Sequence, residues 1–323
     1  MPEQTLPNGG KVQVFEPPSK DFDFVKASDE ALRQCGVPPR PADDAPARLR
    51  EWWERTFSRH PRYVVPNFRS IRLPHMGKRG LTKFGGDTKI WAGSIVQPAK
   101  LAAFDSSSSI VSVFAQWTVP NVYFSEYGFN ADNYVLSSWI GIDGFGAYAP
   151  QRNATELLQA GYIVADTANG GTFSWWEWFP NSPFELDMTV NPGDVVWSQI
   201  ITNNIGPPGA LVIYFGNVTS NLWTSFVPSG TEGQAVQGYC AEWIIELQQG
   251  ANLPNFVEIY YDPAYAMSVE TGRVFLGKTT SSTKYVNVNQ GALFSLSGQT
   301  NTILATPTIL TPEVMKVTWN ASQ

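Results

Sequence analysis

In the segment Gly238-Tyr-Cys-Ala-Glu-Trp-Ile-Ile-Glu246, a period of two sends Tyr239, Ala241, Trp243, Ile245 and Leu247 to one face of a strand and Cys240, Glu242, Ile244 and Glu246 to the other. The first set makes a core face, so Glu242 projects from a strand whose back is buried, the rigid mounting that a catalytic carboxylate needs. An ordinary solvated Glu would fit the same pattern. In Thr172-Phe-Ser-Trp-Trp-Glu-Trp-Phe-Pro180, Glu177 shares its face with Phe173, Trp175 and Phe179. A carboxyl among aromatics is costly when charged and unpaired, so Glu177 is expected to be hydrogen-bonded or protonated, either as a working acid or as the polar point on an aromatic binding wall. Along Asn153-Ala-Thr-Glu-Leu-Leu-Gln-Ala-Gly161 the alternation puts Gln159 with Leu157 and Gly161, and Gly161 leaves space beside the amide. Asp143, in Trp139-Ile-Gly-Ile-Asp-Gly144, falls where a strand meets a glycine turn, a place that turn chemistry alone would explain.

Other hydrolytic arrangements find few residues to use. No Gly-x-Ser-x-Gly elbow occurs, His60 and His75 both precede the strand-rich region, and there is no His-Glu-x-x-His zinc motif. Asp166-Thr167-Ala168 resembles an aspartic-protease triplet but lacks its Gly and has no second copy, and reads as a turn. A different class stays open: a tryptophan-rich jelly roll that binds glycans, or a β-glycanase with Glu177 and Glu242 as its paired carboxylates. Against one common glycanase signature, Glu185-Leu-Asp187 is followed by Thr189 rather than a further Glu.

The elements that must carry these residues are strands. Ile110–Val119, Thr172–Phe179, Val195–Thr202, Ala210–Phe215, Tyr239–Leu247 and Phe256–Tyr261 are short, rich in β-branched and aromatic residues, and bounded by Gly, Pro, Asn and Ser. Such spacing predicts an all-β antiparallel sandwich or barrel. The 323 residues can bury a substantial core, and Cys35 and Cys240 are too far apart to make a disulfide framework or a Cys-x-x-Cys site. Charged residues make up 15%, against roughly 25% in an average soluble domain, while 12 Trp, 12 Tyr and 19 Phe supply aromatic walls. No apolar run approaches the roughly 20 residues of a membrane span.

Charge divides the chain. Residues 40–83 carry 11 Lys/Arg and 4 Asp/Glu, net +7, whereas residues 84–323 carry 7 and 18, net −11. Within the basic stretch Asp43 and Asp44 before Pro46 predict a helix start, after which Leu49, Trp52, Trp53 and Phe57 recur at helical spacing. A shorter helix is expected from Ser28 to Cys35, ending at Gly36. The expected organisation is an N-terminal extension, 1–85, partly helical, and a β-sandwich domain, 86–323.

Six motifs taken together resemble the glutamic peptidase, or eqolisin, family over about Lys89 to Asn320: Trp91-Ala-Gly93, Trp139-Ile-Gly-Ile-Asp-Gly144, Leu157-Leu-Gln-Ala-Gly161, Trp176-Glu-Trp-Phe-Pro180, Pro192-Gly-Asp194 and Ala241-Glu-Trp-Ile-Ile-Glu246. The resemblance implies a concanavalin-like sandwich of two antiparallel sheets, with a Glu and Gln dyad on the face that binds an extended peptide. Carried over by motif, the dyad is Glu242 and Gln159. Trp91 matches the substrate-cleft Trp, Asp143 and Glu177 match supporting acids, and Trp139 stands with them in the second motif. Ala160 departs from the Thr common in the family and removes one supporting hydrogen bond. The implied chemistry is pepstatin-insensitive endopeptidase action in acid on polypeptide substrates: Glu242 as general base toward a water, and the Gln159 amide as oxyanion donor.

The extension has three readings. It packs Trp52, Trp53 and Phe57 against the sandwich; it is an inhibitory pro-segment held by charge and loosened in acid, which would make the protein a zymogen; or it binds nucleic acid, which an overall pI near 5.1 disfavours. No cofactor, metal, nucleic acid or membrane partner is expected, and a monomer is. The family resemblance implies an extracellular protein, yet the first 26 residues hold no apolar segment of the kind a secretory signal needs. Sequons at Asn153, Asn217 and Asn320 carry no functional weight.

Overall fold

The computed structural model describes residues 1–71, 89–98, 108–123, 134–145, 156–166, 171–202, 211–230, 234–248, 250–270, 284–297 and 302–320. The chain opens with strands β1 (Glu3–Thr5) and β2 (Lys11–Val14), helices α1 (Asp29–Gln34) and α2 (Ala47–Phe57), and strands β3 (Arg62–Tyr63) and β4 (Phe68–Ser70). The strand-rich region then runs β5 (Trp91–Val96), β6 (Ser108–Thr118), β7 (Tyr134–Asp143), β8 (Leu157–Asp166), β9 (Gly171–Phe179), β10 (Phe184–Thr189) and β11 (Val195–Thr202). It continues β12 (Leu211–Asn217), β13 (Leu222–Pro228), β14 (Ala241–Leu247), β15 (Glu258–Glu270), β16 (Lys284–Asn287), β17 (Ala292–Phe294), β18 (Ala305–Thr311) and β19 (Val314–Trp319).

These strands make the expected pair of sheets. Sheet I has the order β1-β2-β13-β12-β11-β6-β15-β19-β18, with β16 on β15 and β3 on β13; sheet II has the order β17-β5-β14-β7-β8-β9-β10-β4. Apart from the short parallel pairing of β3 with β13, the named ladders are antiparallel. Strict alternation explains why they stack. On β14, Ala241, Trp243, Ile245 and Leu247 enter the core between the sheets, while Ile244, and Cys240 just before the strand, join a separate cluster on the outer face of sheet II. Tyr239, expected on the core face, packs against that outer cluster instead, because alternation starts only at Ala241 and Asp143 holds the preceding segment. Two hydrogen bonds pin the sheets beneath that face: the Trp243 indole donates to the Phe114 carbonyl at 3.0 Å, and the Tyr261 hydroxyl to the Ile244 carbonyl at 2.7 Å.

The outer face of sheet I is covered by the N-terminal residues. Trp52, Trp53 and Phe57 of α2 form one cluster with Phe114, Trp197 and Trp223, with Trp52 ring centroids 4.3 Å from Phe114 and 5.0 Å from Trp197. The Trp53 indole donates to the Pro38 carbonyl at 2.9 Å, and Arg40 lies 5.1 Å over its ring. The same residues extend both sheets, since β2 pairs with β13 and β4 with β10. Helix α1 begins at the Ser28 cap and is followed by Gly36 at φ +66°, as expected. Helix α2 starts later than the acids at 43 and 44 suggest. Those two lie in a turn, and the Pro46 carbonyl instead accepts the first helical N–H groups, from Leu49 and Arg50. Among the described residues no helix is long and apolar enough to cross a membrane.

Several sequence features resolve into ordinary structure. Asn217 is buried and its amide donates to the Thr189 carbonyl and to Asp194, so this sequon serves a turn whose Asp194 also accepts from the Asn191 N–H. Asn320 donates to the Thr306 hydroxyl at 2.7 Å. Cys35 and Cys240 are both free. Asn153, His75, residues 167–168 and most of the Asn121–Asn133 loop lie outside the described residues.

Candidate active site

One cross-strand rung of sheet II gathers the chemistry. Register places Ile95 of β5 opposite Glu242 of β14, Glu242 opposite Gly141 of β7, Gly141 opposite Gln159 of β8, and Gln159 opposite Glu177 of β9. Directly opposed residues of antiparallel strands point to the same face. Glu242 and Gln159 therefore stand two strand spacings apart, about 10 Å between Cα atoms, with a glycine between them. A Cβ on Gly141 would meet Leu157 Cδ1 at 2.8 Å, Trp139 Cζ3 at 2.9 Å and Glu242 Oε2 at 3.2 Å, so the carboxylate leans over this gap. Gly161, expected to leave room beside the amide, does not: a Cβ there would lie 2.0 Å from the Ser138 carbonyl oxygen and 2.7 Å from the Trp139 Cβ. The room comes from Gly141, across the ladder rather than along the strand. Gly141→Ala is expected to lower kcat/KM by about a hundredfold, the order of loss that displacing reacting groups by an ångström produces. Steady-state assays of the purified variant check this.

Both side chains of the pair are fully buried. Gln159 donates from Nε2 to Glu177 Oε2 at 2.5 Å, while its own Oε1 is buried without a hydrogen-bond partner. Glu177 thus meets the expectation that a carboxyl among Trp175 and Phe179 would be hydrogen-bonded, and it decides which end of the amide faces β9. Glu242 accepts from the Cys240 thiol at Oε1, 2.9 Å away, and its Oε2 is buried without a hydrogen-bond partner. Burial pushes the Glu242 carboxyl well above the usual carboxylate range; the Cys240 hydrogen bond pulls it down, and the nearby Asp143 charge pushes it further up.

Asp143 does more than close a turn. It sits at φ +69°, a conformation that Asp tolerates better than most residues, and accepts from the backbone N–H groups of Gln237, Gly238 and Tyr239 at 2.6, 3.1 and 2.8 Å. The Asp143 N–H in turn donates to the Cys240 carbonyl, so this one residue fixes the segment entering β14. Burial pushes its carboxyl up to about 6, against the pull of the three backbone donors. A folded-state value above the unfolded one means that the unfolded chain loses its proton first as pH rises. Stability supplied by Asp143 is thus present below about pH 4 and lost between about pH 4 and 6, on the order of 3 kcal/mol. Urea unfolding at pH 4 and pH 7 is expected to give the higher midpoint at pH 4.

The aromatic wall lies beside this rung. Trp91 and Trp139 are buried, with ring centroids 5.1 Å apart in an edge-to-face arrangement, and the Trp139 indole donates to Glu246 Oε2 at 3.0 Å. All of the residues singled out in the sequence (Trp91, Trp139, Asp143, Gln159, Glu177 and Glu242) thus lie on sheet II. Three participants escaped: Gly141, Glu246 as anchor of the Trp139 ring, and Cys240 against Glu242. The alternation had placed Cys240, Glu242 and Glu246 on one face; nothing in the sequence named the residues across the ladder.

Residues 89–319 match the profile of the Peptidase A4 family. No curated protein matches the chain in a sequence search. Among solved structures, a scytalido-glutamic peptidase bound to a peptide-based transition-state analogue superposes with a TM-score of 0.53 at 16% identity, covering 72% of this chain and 99% of that one. SCP-B, an eqolisin-family peptidase in complex with the tripeptide Ala-Ile-His, gives 0.51 at 16% identity with the same coverage. Likeness at this identity concerns the fold, and it extends over nearly the whole of both relatives.

Proposed function

The chain belongs to the Peptidase A4 family, the glutamic peptidases or eqolisins, and is a peptide hydrolase; from that premise we propose that it is an acid-acting endopeptidase in which Glu242 and Gln159 activate water against an extended polypeptide. The observation that carries the reading is the shared rung, in which only Gly141 separates the two side chains. Ionised Glu242 takes a proton from water through Oε2 as the water oxygen bonds to the scissile carbonyl carbon. The second Nε2–H of Gln159 donates to the oxyanion that forms, while Glu177 holds the first. Collapse of the tetrahedral species breaks the C–N bond, and Glu242 returns its proton to the leaving amine. Trp91 and Trp139 supply the apolar wall for substrate side chains.

A raised Glu242 carboxyl places the acid limb of the activity profile above that of an exposed Glu. Pepstatin insensitivity follows because, among the described residues, no second carboxyl is hydrogen-bonded to Glu242: its Oε1 accepts from Cys240, Asp143 is held by backbone N–H groups, and Glu177 stands three strand spacings away, about 14 Å between Cα atoms, with Gln159 in between. Gln159, standing between the two carboxyls and donating to Glu177, also disfavours a glycanase, whose two carboxyls must face a common bond. Digestion of a denatured protein from about pH 2 to 7 with pepstatin present tests the proposal. Pepstatin-resistant cleavage that falls away below the raised Glu242 limb is expected; sugar release from β-glycans without proteolysis would overturn it.

A further inference from the structure

We propose that Cys240 is a positioning residue for the reaction, its thiol holding Glu242 Oε1 so that Oε2 alone is left as the proton-accepting atom. This rests on the reading of Glu242 as the general base. The two side chains lie two residues apart on one strand face, both fully buried, with Sγ 2.9 Å from Oε1. The two oxygens of the carboxylate are thereby made unequal. Oε1 is engaged, whereas Oε2 has no hydrogen-bond partner and leans over Gly141, on the side where Gln159 stands. Cys240 is itself held in place, because Asp143 gathers the N–H groups of residues 237–239 and donates its own N–H to the Cys240 carbonyl.

A thiol suits this role. It is a weak donor, and burial together with the neighbouring Glu242 raises its pKa well above the ordinary value, so it keeps its proton throughout the acid range. A donor to the carboxylate favours the ionised base, the form that must be present at low pH. Among the described residues, several titratable groups near Glu242 are committed elsewhere: Asp143 to the backbone of 237–239, Tyr239 to the Gly144 N–H, Glu246 to the Trp139 indole, and Glu177 to Gln159; Gln159 Oε1, and the Ser137 hydroxyl opposite Glu246, have no hydrogen-bond partner. From β5 the opposing residue is Ile95. Among the described residues, the Cys240 thiol is the group that donates to the Glu242 carboxylate, and its hydrogen bond works against the effect of burial.

The test is the pH dependence of kcat/KM for wild type, Cys240→Ala, Cys240→Ser and Glu242→Gln, each checked for an unchanged far-UV spectrum. Cys240→Ala is expected to move the acid limb upward by about one pH unit, a tenfold loss below it, with a plateau within a few-fold of wild type. Cys240→Ser, which keeps a donor, restores most of the shift. An acid limb in Cys240→Ala that coincides with wild type, or an equal loss at every pH in both variants, overturns the proposal. Should Cys240→Ala fail to fold, the S–H infrared band of the folded protein decides, taken as the wild-type minus Cys240→Ser difference. It must shift across the pH of the acid limb, and an unmoved band overturns the role. Activity retained in Glu242→Gln would instead sink the dyad itself, a separate failure.

Discussion

Glu242→Gln will abolish peptide cleavage across the acid range, lowering kcat/KM by about a thousandfold or more, because a carboxamide cannot accept the water proton. Gln159→Ala will lose about a hundred- to a thousandfold, the usual consequence of removing an oxyanion donor. The two effects will not add: once Glu242 cannot take the proton, Gln159 has little developing charge to stabilise, so the double variant will resemble Glu242→Gln. Glu177→Gln separates positioning from chemistry. A carboxamide at position 177 can still accept from Gln159 Nε2, so its loss should be milder than that of Gln159→Ala. Single-turnover cleavage of a fluorogenic peptide by all four proteins measures these differences. A Glu242→Gln protein that cleaves within tenfold of wild type would remove the base from the mechanism.

Trp52→Ala is expected to cost about 3–5 kcal/mol of stability, the range found when a large buried aromatic is truncated. Its ring sits fully buried between Phe114 and Trp197, so the vacated volume opens at the centre of the layer between α2 and sheet I. Deletion of residues 1–71 should be worse, exposing Trp197, Trp223, Phe114 and Tyr214 at once and giving insoluble protein. Acid does not reproduce either effect. Among the described residues, the ion pairs from this segment to the rest of the chain include Arg48 to Asp262 and Arg69 to Asp187 and Glu185; their side chains are 30–56% exposed, and such solvent-screened pairs are worth about 0–1 kcal/mol each. The net charges of +7 and −11 therefore matter less to the attachment than three aromatic side chains of α2. Near-UV circular dichroism from about pH 7 to 3 should keep its tryptophan signal, whereas Trp52→Ala should lose urea resistance at both ends of that range.

How much of this was legible depends on what each residue's meaning rests on. Glu242, Glu177 and Gln159 were readable because each strand alternates strictly, so the face followed from counting by twos. Counting by threes and fours put Trp52, Trp53 and Phe57 on one stripe of α2. Gly141 was not readable as the residue between the pair, since 101 positions separate it from Glu242 and only ladder register brings them opposite. The emptiness assigned to Gly161 was in the wrong place for the same reason. Short or polar strands also passed unnoticed: β2 and β4 are four and three residues long, and β18 is Thr-rich. Their strand character comes from the neighbours β13, β10 and β19, not from their own composition.

The pairing of β2 with β13 also governs when the protein can exist. Val12 and Val14 meet Pro228 and Phe226, so the second strand of the chain waits for residues made more than two hundred positions later. During synthesis at about 5–20 residues per second, Trp52 emerges at least several seconds before Trp197 leaves the ribosome to cover it. Native assembly is therefore a late event that closes a very long loop, and such non-local topologies fold slowly. In the interval the nascent chain presents an amphipathic aromatic helix with nothing to rest on, the kind of surface that chaperones hold. Expression yield should accordingly respond to translation rate and chaperone supply more than to substitutions in the cleft.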